Sequence, residues 1–318
     1  MLYNNHKITS ITNHTETASL DIMVSDYCNY KCWYCWPGAN AGTRYVPPIN
    51  DTFKNNVVKY LEFVQKHKPN VKTIKVSYSG GEPSMFQHLH EYIRFIDSLG
   101  GHNVMVTNGS RTMRWWEENA RYFSMLYISV HYKFANLEHL YTLGEYLKEN
   151  KIPYQFNVAI DPKYVNESIE VLNSFVEREL RSQHQNIQVD HFNWENNSFD
   201  YSALPKYISD IHLDPIIAGS YETTFSTEAE SDVNFDENAR ALMKGNFTGY
   251  RCNSAIEHLQ IDNRGMAFMN CRNSFTEDST TTFNFYEDEL PEIQPTVVCS
   301  VGDCICTTEW RNTKWVPR

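Results

Sequence analysis

Up to about residue 195, short apolar and β-branched runs alternate along the chain with longer amphipathic stretches. The short runs have the length and composition of buried strands, and each longer stretch keeps its apolar residues on one helical face. Strands are predicted at 20–25, 71–78, 103–107, 125–130, 154–160 and 187–192. Helices are predicted at 51–66, with Asp51 as the cap, and at 84–99, 111–122, 137–149 and 164–180. Six strands separated by helices predict an α/β fold with a parallel sheet and right-handed crossovers.

The rest of the chain loses this rhythm. Residues 222–238 are acidic and rich in Ser and Thr, which favours a solvated linker over a lid. Residues 258–269 predict two short strands joined by an Asn-Arg-Gly turn, so a hairpin is expected between Cys252 and Cys271. We therefore expect a core over 1–195, a connecting or substrate-facing segment over 196–248 and a small domain over 249–318.

Composition narrows the class of protein. The chain has 318 residues, of which 41% are hydrophobic, enough for a sizeable core, and no apolar run is long enough to span a bilayer. The formal net charge of −11 argues against a nucleic-acid partner. The N-terminus does not have the pattern of a signal peptide, so eight cysteines indicate metal binding in a reducing cytoplasm rather than a disulfide framework.

Three of the cysteines lie in one loop, which reads DYCNYKCWYCWPG from Asp26 to Gly38. Cys28, Cys32 and Cys35 have the spacing C-x3-C-x2-C. Three neighbouring thiolates can hold one metal centre but cannot complete a four-coordinate site, which favours a [4Fe–4S] cluster with its fourth iron open. A zinc site with a ligand from elsewhere, or reduced core thiols, are the alternatives.

A second motif, YSGGEP, occupies residues 78–83 at the end of a β-branched run. Together the two motifs resemble those of the radical S-adenosylmethionine (SAM) superfamily, in which the cysteine loop follows the first barrel strand and GGEP ends the second. The aromatic residue of the family's C-x3-C-x-aromatic-C form is Tyr34 here. The resemblance covers roughly residues 18–195, and it implies an open (β/α)6 partial TIM barrel.

The resemblance also implies roles for individual residues. Cys28, Cys32 and Cys35 would hold the catalytic cluster, whose open iron binds SAM. Reductive cleavage of SAM would then yield a 5′-deoxyadenosyl radical that takes hydrogen from a C–H bond. The residues expected to contact SAM are Tyr34, Ser79, Gly80, Gly81, Glu82, Ser129 and Asn157.

Several of these assignments have alternatives. Gly80 and Gly81 would let the backbone approach the methionine part of SAM, where a Cβ would clash. Ser129 and Asn157 lie near predicted strand ends, where either residue is also common in turns. His131 is a candidate acid–base group or an ordinary hydrogen-bonded residue.

The last third of the chain holds five more cysteines: Cys252, Cys271, Cys299, Cys304 and Cys306. Their pattern resembles the twitch form of the SPASM domain and implies an auxiliary [4Fe–4S] cluster with one thiol left over. Gly265 is followed by five residues before Cys271, one more than the family form. A structural zinc is the alternative for the whole set, and the spare thiol is a candidate hydrogen-atom donor.

We therefore expect a radical SAM enzyme acting on a small molecule or a short peptide, with a flavodoxin- or ferredoxin-type electron donor. The early position of Cys28 favours a substrate that needs no leader-recognition domain. A peptide-modifying maturase or epimerase with a cysteine hydrogen-atom donor is the first alternative. A non-catalytic iron–sulfur electron carrier is the second, and a degenerate homologue with structural zinc is the third.

Overall fold

The computed structural model of the protein describes residues 2–3, 6–35, 42–187, 204–205, 223–231, 233–234, 247–268, 282–299 and 312–317. The helices of these ranges are α1 (Asp51–His67), α2 (Leu89–Ser98), α3 (Met113–Asn119), α4 (Leu137–Glu149), α5 (Val165–Glu177) and α6 (Ser254–Glu257). The strands are β1 (Leu2–Tyr3), β2 (His6–Asn13), β3 (Thr17–Ser25), β4 (Thr73–Gly80), β5 (His102–Thr107), β6 (Phe123–Val130), β7 (Tyr154–Ile160), β8 (Ser182–Asn186), β9 (Thr223–Thr227), β10 (Val233–Asn234), β11 (Arg251–Cys252), β12 (His258–Ile261), β13 (Met266–Phe268), β14 (Thr282–Asn284), β15 (Val297–Val298) and β16 (Lys314–Trp315).

Strands β3 to β8 form the predicted parallel sheet in sequence order, and helices α1 to α5 lie in the connections between them. The α/β class is confirmed. Outward-facing side chains of the strands pack on these helices in a core that contains Phe53, Tyr78 and Trp116. A sheet of this order is the one from which a partial TIM barrel is built, and the barrel closure itself stays a prediction.

Three predicted boundaries differ from the structure. The cap of α1 is Asn50 and not Asp51, because the Asn50 side chain accepts a hydrogen bond from the Phe53 amide at 2.8 Å. The helix predicted at 84–99 is divided into a 3₁₀ turn at Pro83–Met85 and α2. The helix predicted at 111–122 likewise ends in a 3₁₀ turn at Ala120–Tyr122.

The sixth parallel strand is β8, which comes before the predicted range of 187–192. Its sequence, SQHQN, is polar and was therefore overlooked. The Gln183 side chain donates to Asn157 Oδ1 at 2.9 Å, whereas Gln185 and Asn186 at the end of the strand are exposed. Of the predicted range, only Ile187 lies within the described residues.

The predicted C-terminal hairpin is present as β12 and β13, and it also extends the parallel sheet. Strand β12 lies parallel to β3, with His258 opposite Ser19 and Gln260 opposite Asp21. The His258 Nε2 atom lies 2.6 Å from Asp21 Oδ2. The sequence pattern predicted the hairpin but not its attachment to the first strand of the sheet.

A second, antiparallel sheet has the order β10-β9-β2-β16-β11-β15, with β1 beside β2. It joins the N-terminal strand β2 to segments from the last third of the chain. Strand β9 comes from the acidic stretch at 222–238, so part of the predicted linker is paired into this sheet. Within the described ranges, none of the helices has the length and apolar character that crossing a lipid bilayer requires.

Candidate functional site

The main cavity has a volume of about 510 Å³ and opens at the carboxyl ends of the parallel strands. Its wall combines the three cysteines of the loop after β3 with residues at the ends of β4 to β8. Ligand sites of α/β proteins lie at this edge of the sheet, and the volume is typical of a small-molecule pocket. The cavity is therefore the candidate site.

The sulfurs of Cys28, Cys32 and Cys35 come to this wall from one tight loop. The Cys35 amide donates to the Cys32 carbonyl at 3.2 Å, and the Tyr30 amide donates to Cys28 Sγ at 3.3 Å. Burial raises the pKa of the Cys28 thiol, and it raises the pKa of Cys32 to about 12. Without a metal both groups are neutral thiols at pH 7, so binding of a metal centre must displace their protons.

Strand β4 delivers the second motif against the base of the cysteine loop. The Gly81 amide donates to the Ser25 carbonyl and the Glu82 amide donates to the Tyr27 carbonyl, each at 2.7 Å. Gly80 has φ +116°, and a Cβ there would lie 2.3 Å from the Ser25 carbonyl oxygen. Glycine is therefore required at position 80 by the contact between the two motifs.

The Glu82 carboxylate joins the same loop to the end of β5. It accepts hydrogen bonds from Thr107 Oγ1 at 2.6 Å, from the Asn108 amide at 2.6 Å and from the Ser84 amide at 3.0 Å. Burial raises the pKa of Glu82, although each of these hydrogen bonds opposes the shift. The carboxylate thus fixes three segments of the cavity wall to one another.

Tyr34 lines the cavity and its hydroxyl lies 2.8 Å from His131 Nδ1. Burial lowers the pKa of His131 to about 4, so its imidazole is neutral at pH 7. The neighbouring Trp33 lies outside the cavity lining, and its indole N–H donates to the Asp161 carboxylate at 3.2 Å. The two consecutive aromatic residues therefore have different surroundings.

The cavity brings together most of the SAM-contact residues expected from the sequence. Tyr34, Gly80, Gly81, Glu82 and Ser129 all line it. Ser79 lies beside Met23 in the β3–β4 pair and Asn157 lies beside Ser129 in the β6–β7 pair, and both are outside the lining set. Asn157 Oδ1 accepts hydrogen bonds from Gln155 at 2.8 Å and from Gln183 at 2.9 Å.

Other lining residues were not singled out from the sequence. Asn108 Nδ2 lies 3.8 Å from Cys28 Sγ, and Tyr30 covers the same cysteine. Gln185 and Asn186 complete the wall at the end of β8. The sequence could have indicated these residues by their position at the ends of predicted strands, because residues that follow parallel strands meet at one edge of the sheet.

Cys252 and Cys299 lie on one face of the second sheet. In the β11–β15 pair Cys252 is opposite Val297, and the Cys299 amide donates to the Tyr250 carbonyl at 2.8 Å. Cys299 is therefore a diagonal neighbour of Cys252 on the same side. Both thiols are buried, and burial raises the pKa of Cys252 to about 11. The predictions for Cys271, Cys304 and Cys306 concern positions outside the described residues.

Residues 22–175 match the radical SAM superfamily. This match supports membership of the radical SAM superfamily. The matched range begins in β3, ends in α5 and contains both sequence motifs. The radical SAM superfamily implies a [4Fe–4S] cluster and SAM, and the match supports an enzyme.

Curated relatives are similar over part of this domain. GTP 3′,8-cyclase of Vibrio atlanticus is 32% identical over 100 residues, which are 31% of this chain and 28% of that protein. A probable GTP 3′,8-cyclase of Saccharolobus islandicus is 30% identical over 91 residues, covering 28% of this chain and 27% of the relative. The chain thus matches about a quarter of the length of these relatives.

A solved structure extends the likeness in fold. Streptococcus suis SuiB bound to S-adenosylmethionine has a TM-score of 0.52 and 18% sequence identity, covering 86% of this chain and 64% of SuiB. The same enzyme bound to the precursor peptide SuiA matches with a TM-score of 0.52 and 18% identity, over 86% of this chain and 63% of SuiB. At this identity the likeness shows the fold.

The residues of the main cavity fit the group that the radical SAM domain implies. Three thiols from one loop are the donor set for three irons of a cluster. The strand ends add backbone and amide groups beside them, in a cavity large enough for a small molecule. Within the described ranges, no three His, Cys, Asp or Glu side chains have the arrangement of a single-ion site.

Proposed function

We propose that the protein is a radical SAM enzyme that cleaves SAM reductively and removes hydrogen from a C–H bond of a small molecule or short peptide. One observation carries the proposal: the C-x3-C-x2-C thiols and the Gly80–Glu82 backbone share a single cavity wall. A simple electron carrier has no need of such a cavity beside its cluster. The chemistry supplied by the bound cluster and SAM is the formation of a 5′-deoxyadenosyl radical.

Cys28, Cys32 and Cys35 hold the cluster as thiolates in this proposal. The hydrogen bond from the Tyr30 amide to Cys28 Sγ stabilises negative charge on that sulfur. Asn108 Nδ2 approaches the same sulfur. Both hydrogen bonds lower the pKa of the Cys28 thiol, and so they partly offset the effect of burial, which raises it.

Gly80 and Gly81 present backbone to the methionine part of SAM, and the Tyr34 ring packs against the adenine. The fixed position of Tyr34 supports this role, because its hydroxyl is held by His131. His131 is neutral at pH 7, so it adds no positive charge beside a cationic sulfonium ligand. Ser129 supplies a hydroxyl at the end of β6.

The polar lining of the cavity supports a substrate class. Asn108, Gln185 and Asn186 line it with amide or strand-end polar groups that both donate and accept hydrogen bonds. Such groups suit a neutral polar substrate, including a peptide. Among similar proteins the names differ, since one is a GTP 3′,8-cyclase and another binds a precursor peptide.

We also propose that the C-terminal cysteines bind an auxiliary [4Fe–4S] cluster that assists electron transfer. The support is that Cys252 and Cys299 are buried on one face of the same sheet. Two buried thiols as diagonal neighbours are suitable as two ligands of one centre. A structural zinc is the alternative for the same donors.

The proposal is tested by SAM cleavage in anaerobically reconstituted protein reduced with dithionite. We expect the wild-type protein to release 5′-deoxyadenosine and the Cys35→Ala variant to release none. Cys299→Ala is the control, because that thiol lies in the second sheet, and this variant should retain cleavage while losing product. An electron carrier releases no 5′-deoxyadenosine in any of the three, and normal cleavage by Cys35→Ala would also overturn the assignment.

A further inference from the structure

A second cavity of about 340 Å³ lies on the other side of the cysteine loop. This outer cavity is lined by Tyr30, Ser110, Thr112, Phe134, Asn136 and His139, among others. Tyr30 lines both cavities, so a single side chain separates the outer cavity from the candidate cluster site. The proposed reaction inside the main cavity gives the outer cavity no role.

An aromatic pair connects the outer cavity to a cluster ligand. The Tyr30 and Phe134 rings are stacked with their centroids 5.6 Å apart. Phe134 is 39% exposed, whereas Tyr30 is 8% exposed and its amide donates to Cys28 Sγ. The contact therefore runs without interruption from the protein surface to a cysteine that would bind iron.

Three exposed lysines lie in or near the cysteine loop and Phe134. Lys31 lies in the cysteine loop, Lys133 precedes Phe134, and Lys163 follows β7. The Lys133 Nζ atom lies 4.1 Å from the centroid of the Tyr164 ring, and that of Lys163 lies 3.8 Å from the centroid of the Trp33 ring. Glu138, in the first turn of α4, is an exposed acidic neighbour. In a chain with a formal net charge of −11, this is a local concentration of positive charge.

We propose that the outer cavity and its lysines form the docking face for an acidic protein that donates electrons from an exposed flavin or iron–sulfur centre. We define the docking face as Phe134 at the outer cavity together with the exposed lysines Lys31, Lys133 and Lys163. The inference rests on the proposed function, because a SAM-cleaving cluster must first be reduced. In this step the donor is oxidised by one electron and the cluster is reduced by one electron, and no bond forms or breaks.

The lysines explain why an acidic electron donor would bind at this face rather than elsewhere on the protein. An acidic donor is repelled by most of a surface with net charge −11 and attracted by the lysines around the outer cavity. Electron-transfer complexes have small interfaces, and their association is steered by charge and weakened by salt. Phe134 supplies an exposed apolar centre within the charged rim.

The test compares protein reductants with a chemical reductant on the reconstituted holoenzyme. The protein probes are a bacterial flavodoxin and a bacterial ferredoxin, and dithionite is the chemical reductant. The Lys133→Glu variant reverses one charge of the docking face, and Lys133→Arg retains it. Lys66→Glu is the matched control, because Lys66 is exposed in the last turn of α1, at the opposite end of the sheet.

We expect Lys133→Glu to weaken donor affinity about fivefold to tenfold at low salt, measured by titration calorimetry, and the difference to shrink near 1 M salt. The amplitude of the reduced-cluster signal in electron paramagnetic resonance should fall with the protein donor and stay unchanged with dithionite. Lys133→Arg and Lys66→Glu should both behave as the wild-type protein does.

Equal donor affinity for the wild-type protein and Lys133→Glu would overturn the docking face, as would an equal loss in Lys66→Glu. Retained affinity for the donor together with weaker binding of a peptide substrate would assign the face to the substrate instead and also overturn the proposal. If dithionite releases no 5′-deoxyadenosine from the wild-type protein, the proposed function fails, and the calorimetric comparison still decides the docking face.

Discussion

The hydrogen bond between Tyr34 and His131 places a neutral side chain in the wall of the main cavity. The Tyr34 position follows from the cysteine motif, and His131 follows β6, so the two are far apart in sequence. Their 2.8 Å contact closes one side of the cavity with a neutral histidine. The motif alone predicted the tyrosine, whereas the partner depends on the ends of neighbouring strands and required the fold.

The buried histidine predicts a pH dependence of stability in the cluster-free protein. Burial lowers the pKa of His131 to about 4 from its ordinary value of 6.5. Between these two values the unfolded chain binds a proton that the folded chain does not, so stability falls as pH falls through this window.

We expect the difference in unfolding free energy between the wild-type protein and His131→Gln to decrease from pH 6.5 towards pH 4. The slope is at most about 1.4 kcal/mol per pH unit, and less because the side chain is partly exposed. Urea denaturation at several pH values measures it. A pH-independent difference would contradict a neutral, buried His131.

At the scale of elements, the sequence predicted the alternation of strands and helices from β3 to α5 because each has an apolar face of regular period. The second sheet was not predicted. Its strands β11, β15 and β16 have two residues each, too few for any periodic pattern, and their partners are distant in the chain. The predicted position of strand β8 was wrong because the strand consists of polar residues and has no apolar pattern.

Helix α6 is held to α1 and to the C-terminal segment by one buried carboxylate, Glu257. It lies 2.8 Å from Lys68 Nζ, and it accepts hydrogen bonds from the amide and the hydroxyl of Thr313, each at 2.6 Å. The Glu257 side chain is fully buried, whereas that of Lys68 is 16% exposed. Because every partner is a donor, an amide cannot replace the carboxylate.

We expect Glu257→Gln to lower the free energy of unfolding by about 3 kcal/mol, because it removes the negative charge opposite Lys68 and leaves one of the donors to the buried carboxylate without an acceptor. Chemical denaturation monitored by circular dichroism measures this loss. Glu289→Gln is the control, since Glu289 pairs with Lys59 on α1 while its side chain is 91% exposed. That variant should change stability by less than about 0.5 kcal/mol. Equal losses of unfolding free energy in the two variants would show that burial of the carboxylate does not determine its contribution to stability.

At the scale of the molecule, two sheets present thiols in separate places. The main cavity holds three cysteines at the edge of the parallel sheet, and the antiparallel sheet holds Cys252 and Cys299. The five cysteines within the described ranges are thiols rather than disulfides. The sequence predicted both groups from spacing, but it did not predict that strand β12 would attach the C-terminal part to β3.

If the protein binds the two proposed clusters, its iron and sulfide content per chain can be predicted. Anaerobically purified protein should contain about eight irons and eight sulfides per chain. The triple variant Cys28→Ala, Cys32→Ala, Cys35→Ala should retain about four of each, held by the C-terminal thiols. Metal and sulfide analysis measures both proteins. About one zinc and no iron in the triple variant would contradict the auxiliary cluster and show that the C-terminal thiols bind a structural zinc.

Apart from its short pairing with β1, strand β2 has its partners in the antiparallel sheet far downstream, since Ile11 pairs with Phe225 on one side and with Lys314 on the other. During synthesis most of β2 stays unpaired at one edge until β9 has been made and at the other edge until β16 has been made. Open edges invite pairing with foreign strands. We therefore expect the parallel sheet, whose strands pair in sequence order, to be able to fold before the antiparallel sheet is complete.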